Sequence, residues 1–177
     1  MKILVHICCA PCFAYPHQRI QDQGDTVVGY WFNPNIHPFM EYCARRDAVQ
    51  KYASLEDVAV IYDDYTLMPY LSMIMAEIEQ GKDRCLACYR YRLEKTAAYA
   101  RKHGFDGFTT TLLSSHHQKH KKIREIGEKI ADTYDILFYY QDFREGWSHG
   151  RALSMQYSLY RQRYCGCLWS EYEKYKE

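Results

Sequence analysis

The sequence lacks any run of about 18 apolar residues, so none of its helices is long enough in apolar content to span a bilayer. It has no G-x-x-x-x-G-K-[ST] pattern, and no glycine-rich turn follows its first apolar run, which argues against phosphate-loop nucleotide binding. No three cysteines fall in C-x-x-x-C-x-x-C order, so nothing favours a radical enzyme using S-adenosylmethionine. There is no internal repeat, low-complexity tract or linker in the 177 residues, and one domain over 1–177 is expected. Charge of neither sign dominates: 23 Lys and Arg stand against 22 Asp and Glu, a net charge of +1. That balance neither requires nor excludes nucleic acid, because binding depends on where charge lies as well as on its sum. The first 14 residues do not read as a secretory signal, since the apolar run contains His6 and no small-residue cleavage segment follows. A cytoplasmic chain with no membrane partner is expected, where clustered cysteines are more often metal-binding or catalytic than disulfide-bonded.

What the chain does have is an alternation of apolar strands and amphipathic helices. "KILVHI" reads as a strand and "FAYPHQRIQDQG" as a short helix stopped by Gly24; "TVVGYWFN" is a second strand, closed by the loop "NPNIHP". Residues 40–54 read as a helix and "VAVIYDD" as a strand. A helix over 67–80 has an apolar face of Leu67, Leu71, Ile74, Met75 and Ile78. "CYRYRLEKTAAYARKHG" is a strong helix ending at Gly104. The strand "FDGFTTTLL", a helix over 116–131, the strand "DILFYY" and a last helix over roughly 150–163 complete the pattern. This predicts an α/β fold, a single mostly parallel sheet with helices on both faces. Ligands in such sheets bind beyond the carboxyl ends of the strands. The cysteines after the first strand, "NPN", Asp63, Asp64 and "LLSSHHQ" would collect at that edge.

Seven of the eight cysteines fall in three tight groups: Cys8, Cys9 and Cys12 in "CCAPC", Cys85 and Cys88 in "CLAC", and Cys165 and Cys167 in "CGC". Thiolates two or three residues apart can face one ion or cluster, whereas a tight turn is sterically poor for a disulfide between the same neighbours. Cys43 stands alone in a helical stretch and reads as structural. A closed zinc site needs four thiolates and leaves three unused, and the adjacent Cys8 and Cys9 point in different directions. A four-iron cluster also takes four and leaves three for a neighbouring metal or redox work, which favours iron–sulfur over zinc while leaving zinc open. "CCAPC" occupies the turn where a nucleotide-binding sheet carries its anion loop.

"HICCAPC", "NPNIHP", "CLACYRYRL", "TTTLL" and "YRQRYCGC", in this order from His6 to Cys167, together resemble the cobalamin-independent epoxyqueuosine reductases, the QueH family. This chain reads "SSHHQ" after "TTTLL", where that family usually has a proline; His116 and His117 there alter the loop and add candidate ligands. The resemblance implies a fold like the adenine-nucleotide α-hydrolases. It implies an oxidoreductase that removes the epoxide oxygen of epoxyqueuosine in the tRNA anticodon to give queuosine. Implied with it are a [4Fe-4S] cluster, a second mononuclear metal ion, taken as iron, and an external one-electron donor such as a ferredoxin-like protein. Under it, Cys9, Cys85, Cys88 and Cys165 are assigned to the cluster and Cys8, Cys12 and Cys167 to the second metal. The competing readings are a zinc-stabilised tRNA-modifying or nucleotide-hydrolysing α/β enzyme and a noncatalytic zinc-bearing nucleic-acid module.

His6 is the candidate proton donor to the leaving oxygen, beside the plainer reading of a hydrogen-bonded core histidine. Arg92 lies one helical turn beyond Cys88 and can hold a phosphate or offset cluster charge. Tyr89 and Tyr164 adjoin cysteines and can shield a cluster or stack on a base, and Asn33 and Asn35 can bond substrate or simply form the turn. Ser114, Gln118 and Arg144 are further substrate-binding candidates. Lys119, Lys121, Lys122 and Arg124, within "HHQKHKKIR", are the candidate tRNA contact, against the reading of a solvated helix face.

Overall fold

The structure is a computed structural model and describes residues 1–176. Five strands, β1 (Lys2–His6), β2 (Thr26–Trp31), β3 (Val60–Tyr62), β4 (Gly107–Thr110) and β5 (Leu137–Phe138), form one all-parallel sheet in the order β3-β2-β1-β4-β5. Seven helices accompany it: α1 (Ala10–Asp22), α2 (Phe39–Leu55), α3 (Leu67–Glu79), α4 (Arg84–Lys102), α5 (His120–Tyr134), α6 (Trp147–Gln156) and α7 (Leu168–Tyr175). Parallel strands need crossovers, and the crossovers here are helical. α1 and α2 join the strands on one side of β1 and pack on each other, while α4 and α5 serve the other side and do the same. The expected α/β architecture with helices on both faces is therefore present.

β1 is covered on both faces, which is why it reads as a continuous apolar run rather than an alternation. Ile3, Leu4 and Val5 are wholly buried. From β1 the chain winds outward to β2 and β3, and from β4 it winds the opposite way to β5, so the strand order reverses between β1 and β4. That reversal opens a crevice at their carboxyl ends.

Several element boundaries differ from the sequence expectation. α1 begins at Ala10, because Cys9 serves as its N-cap: the Cys9 sulfur accepts from the Cys12 amide at 3.4 Å. α4 begins at Arg84, capped by the Asp83 side chain on the Cys85 amide at 2.8 Å, so Cys85 and Cys88 lie in its first turns. β4 stops at Thr110, whose hydroxyl accepts from the Leu112 amide and turns Thr111–Ser114 into a 3-10 turn. α5 starts four residues later than the pattern implied. In α3 the buried face is rotated toward Tyr70 and Ile74, leaving Met75 exposed, because the tyrosine ring packs against α4. The single last helix over 150–163 is replaced by α6 and α7, with an irregular segment between them that carries Arg161 to Cys167. Buried contacts to that segment, described next, outweigh its local helical pattern.

Candidate metal centre

The crevice at the carboxyl ends of β1 and β4 holds all seven grouped cysteines, and each is a free thiol. Cys8, Cys9 and Cys12 leave β1 and enter α1, with sulfurs that all lie within 4.8 Å of one another. Among the described residues no other His, Cys, Asp or Glu group is as close-set. Cys85 and Cys88 from α4, with Cys165 and Cys167 from the irregular segment, line a small closed cavity of about 30 Å³ with Asn35, Tyr89 and Trp169. The sulfurs therefore divide three and four. In space, Cys9 stands with Cys8 and Cys12, and Cys167 with Cys85, Cys88 and Cys165, a grouping that differs from the expected partition at those two residues. Cys9 and Cys167 each cap the helix that follows them, and that local bond sets which way each sulfur faces.

A second cavity of about 620 Å³ opens beside the triad and is lined by Cys8, Cys12, Arg92, Gln118, Gln162 and Cys165, among others. Arg92 lines both this cavity and the quartet's. Its guanidinium is buried and spent on three partners: Nε on His6 Nε2 at 3.2 Å, one amino group on Asn33 Oδ1 at 2.6 Å, and the other 4.0 Å from Cys88 Sγ. Asn33 is itself fixed by donating to the Ile7 carbonyl at 2.7 Å.

His6 sits beneath this network. Its ring is fully buried, and burial with the Arg92 charge lowers its pKa to about 3. Nε2 lies 3.2 Å from both Arg92 Nε and the Phe32 carbonyl oxygen, and Nδ1 pairs with Thr110 Oγ1 at 2.8 Å. These are the contacts of a hydrogen-bonded core histidine, and through them His6 holds Arg92 in place.

Each sulfur group receives donors from residues that are not cysteines. Thr111 Oγ1 donates to Cys8 Sγ at 3.0 Å, Gln162 Nε2 to Cys9 Sγ at 3.0 Å, and Gln118 Nε2 to Cys165 Sγ at 3.4 Å. Hydrogen bonds from the Cys12 and Cys9 thiols hold Cys8 well below the ordinary thiol value, aided by Thr111 and Arg92. The mirror image of those bonds raises Cys12, while burial raises Cys9. Burial pushes Cys85 up, whereas Cys165 is exposed at the mouth of the crevice. Donors aimed at sulfur are what tune a metal–thiolate site, so the donor set fits a metal at the triad.

The CGC turn is held by Arg45, which no motif in the sequence marks, and by residues of two of the motifs. Arg45, buried in α2 and paired with Glu41 at 2.7 Å, donates to the carbonyls of Cys165 at 2.9 Å and Tyr164 at 3.1 Å. The His37 amide donates to the Gly166 carbonyl at 2.7 Å, and Tyr164 Oη donates to the His37 carbonyl at 2.5 Å. Gly166 has φ +136°, and a Cβ there would lie 3.2 Å from both Arg45 and Ile36, so glycine is required between the two cysteines.

Other expected residues divide likewise. Tyr89 Oη donates to Gln118 Oε1 at 2.6 Å, and both line the quartet cavity. Asn35 lines it too, with a buried Oδ1 that has no partner in the protein. Ser114 donates to the Cys12 carbonyl at 3.1 Å. Arg144 is not at the crevice: it is clasped by Asp142, at 2.5 Å from one carboxylate oxygen. Asp63 is also elsewhere, bonded to Tyr30 at the β3 edge. Of the α5 cations, Lys119 pairs with Asp83, Lys122 with Glu125 at 2.8 Å and Arg124 with Glu128 at 2.7 Å, leaving Lys121 exposed without an ion pair. His117 lines the larger cavity, and Cys43 packs against the core as a structural thiol would.

A doubly wound parallel sheet with seven reduced thiols at its switch point defines a metal-binding α/β protein of the thiolate class. The comparison with known families is more specific. A family model described as epoxyqueuosine reductase QueH matches residues 3–173, and the chain belongs to that family of oxidoreductases, as its motifs implied. The epoxyqueuosine reductase QueH of Dehalococcoides mccartyi is 40% identical over 98% of this chain and 94% of its own length. That of Thermotoga maritima is 35% identical over 97% and 91%, and that of Streptococcus pyogenes 34% over 96% and 70%. No helix of the described residues is long and apolar enough to cross a membrane.

Proposed function

We propose that this chain, as one metal-cluster-binding α/β domain, reduces epoxyqueuosine at the tRNA wobble position to queuosine. Cys85, Cys88, Cys165 and Cys167 would hold a [4Fe-4S] cluster, and Cys8, Cys9 and Cys12 the second mononuclear metal, iron. The observation that carries this reading is the convergence of seven free thiols from three distant segments on one crevice, around the buried Arg92. Removing the epoxide oxygen as water and leaving an alkene takes two electrons and two protons. When bound, the cluster supplies one-electron transfer and the adjacent metal a Lewis acid. A one-electron donor, ferredoxin-like, must therefore act twice per turnover.

The chain's own residues bind and orient. Arg92 offsets the negative charge of the thiolates on both sides, and its fork is locked by His6 and Asn33 so that it does not need to reorganise. Gln162 spends its amide N–H on Cys9 and keeps a buried Oε1 with no protein partner at the wall of the larger cavity. That oxygen is placed to accept a hydroxyl proton from the ribose or cyclopentane ring of the substrate. Tyr89 and Gln118, hydrogen-bonded to each other, form one wall of the quartet cavity.

The test is iron, zinc and acid-labile sulfide per chain after anaerobic purification, followed by reduction of an epoxyqueuosine-bearing anticodon stem–loop read by mass as loss of one oxygen. About four sulfides with four or five irons are expected. Cys167→Ala should lose the sulfide, whereas Cys9→Ala should keep it and lose only the extra iron. Stoichiometric zinc without sulfide after attempted reconstitution overturns the reading.

A further inference from the structure

A second chamber of about 580 Å³ adjoins the cysteine cavity and shares Cys12, Trp147, Gln162 and Arg163 with it. Both volumes lie in the range of ligand sites. The second chamber holds no cysteine but Cys12; its walls are the first turns of α1, Ser114, α6 and residues 159–163. It is built by close packing. A Cβ on Gly150 would lie 2.2 Å from the Pro11 carbonyl oxygen, so only glycine lets α6 press on the start of α1 and set Trp147 beside Cys12.

The chamber's chemistry is that of a single-stranded nucleic-acid site. Trp147 begins α6 with 47% of its surface exposed, His116 edge-on to it at 6.4 Å and the Arg151 guanidinium 5.7 Å from its ring centre. An exposed tryptophan with an arginine over its ring and a second aromatic ring at its edge is a stacking platform for a base. Arg151, Arg161 and Arg163 all line the chamber and are exposed, and among the described residues none of them has a carboxylate partner. The α5 cations differ on this point, since three of the four expected tRNA contacts are already paired with acids. An unpaired guanidinium keeps its full charge for a phosphate.

We infer that this chamber is a second nucleotide subsite: Trp147 stacks on a base adjacent to the modified one, and Arg151, Arg161 and Arg163 hold the phosphates that join the two. The inference rests on the tRNA reading above and moves the RNA contact from α5 to the Trp147–Arg163 surface. A single strand threaded across both chambers presents one nucleoside to the cysteines and the next to the tryptophan.

The experiment is the affinity of the anaerobically purified full chain, as a function of salt, for an anticodon stem–loop with guanine at the wobble position and for the same stem without its loop. The wild type should prefer the loop. Trp147→Ala should weaken loop binding about tenfold, and Trp147→Phe should restore most of it. Replacing Arg161 and Arg163 by Gln should flatten the slope of log affinity against log salt by roughly 0.7 for each phosphate no longer held, and this pair carries the test if Trp147→Ala fails to fold. Loop binding within twofold of wild type in both variants, or an equal weakening on the loopless stem, overturns the subsite. A wild type that binds the loop through Trp147 yet never reduces the epoxide would instead remove the reductase reading and leave the subsite standing.

Discussion

The triad Cys8, Cys9 and Cys12 hangs from β1, whose Ile3, Leu4 and Val5 are wholly buried, so its position is set by the same packing that holds the sheet together. Cys165 and Cys167 sit instead in an irregular segment, fastened to the body by the Arg45 guanidinium, the His37 backbone and a glycine turn. The triad is thus anchored in the core, while half of the quartet is held by a clamp. Apolar burial is cooperative and tolerant in direction, whereas a clamp made of a few buried polar groups fails when one partner is removed.

Metal removal should separate the two regions most widely. Chelation under reducing conditions is expected to raise amide hydrogen exchange across residues 164–176 by orders of magnitude while β1 keeps its protection; equal loss in both would erase the distinction. Arg45→Ala leaves Glu41 with the Tyr160 hydroxyl as its remaining partner and two carbonyls unsatisfied, and should cost about 3–5 kcal/mol by urea unfolding, with quartet metal released before triad metal. Cys9→Ala in the metal-free protein removes the N-cap of α1 and the acceptor of the Gln162 amide, and should cost about 1–3 kcal/mol, because the strand beneath it is untouched. The smallest effect is expected at His17, on the core side of α1. Burial lowers its pKa below 6.5, so the unfolded chain binds more protons there. Its contribution is complete above pH 6.5 and is lost as pH falls through the folded value. His17→Gln should therefore flatten the decline of the urea midpoint between about pH 7.5 and 5.5, and an unchanged decline would place that sensitivity elsewhere.

The comparison extends to the basic surface. Lys121→Glu with Lys122→Glu reverses charges on α5 that are either solvated or already paired, and should change stem–loop affinity less than the Arg161 and Arg163 pair does. A larger effect from α5 would restore the role that "HHQKHKKIR" suggested.

The strand and helix alternation was legible because burial on two faces leaves a continuous apolar run and burial on one leaves a helical stripe, and both survive in linear order. The boundary errors have a common cause. Cys9, Asp83 and Thr110 act as caps, and a cap changes where a helix starts without changing the hydrophobic pattern around it. Among site residues, Arg92 and Asn33 were found through their spacing to motifs. Arg45, Thr111 and Trp147 were not, since nothing in their local sequence marks the partners they meet, which for Arg45 and Thr111 lie more than 100 residues away.

By itself the sequence determined the parallel α/β class, the seven-thiol inventory, and membership of a family through five motifs in order. Those depend on residue type and short spacing, which the chain carries whether folded or not. Tertiary structure alone decided that the sulfurs divide three and four, that buried His6 meets Arg92 and Thr110, and that three arginines without a carboxylate partner gather about Trp147. Each of these depends on which groups come within hydrogen-bonding or ionic reach, and that reach is set by how β1, α4 and the segment before α7 pack around the switch point.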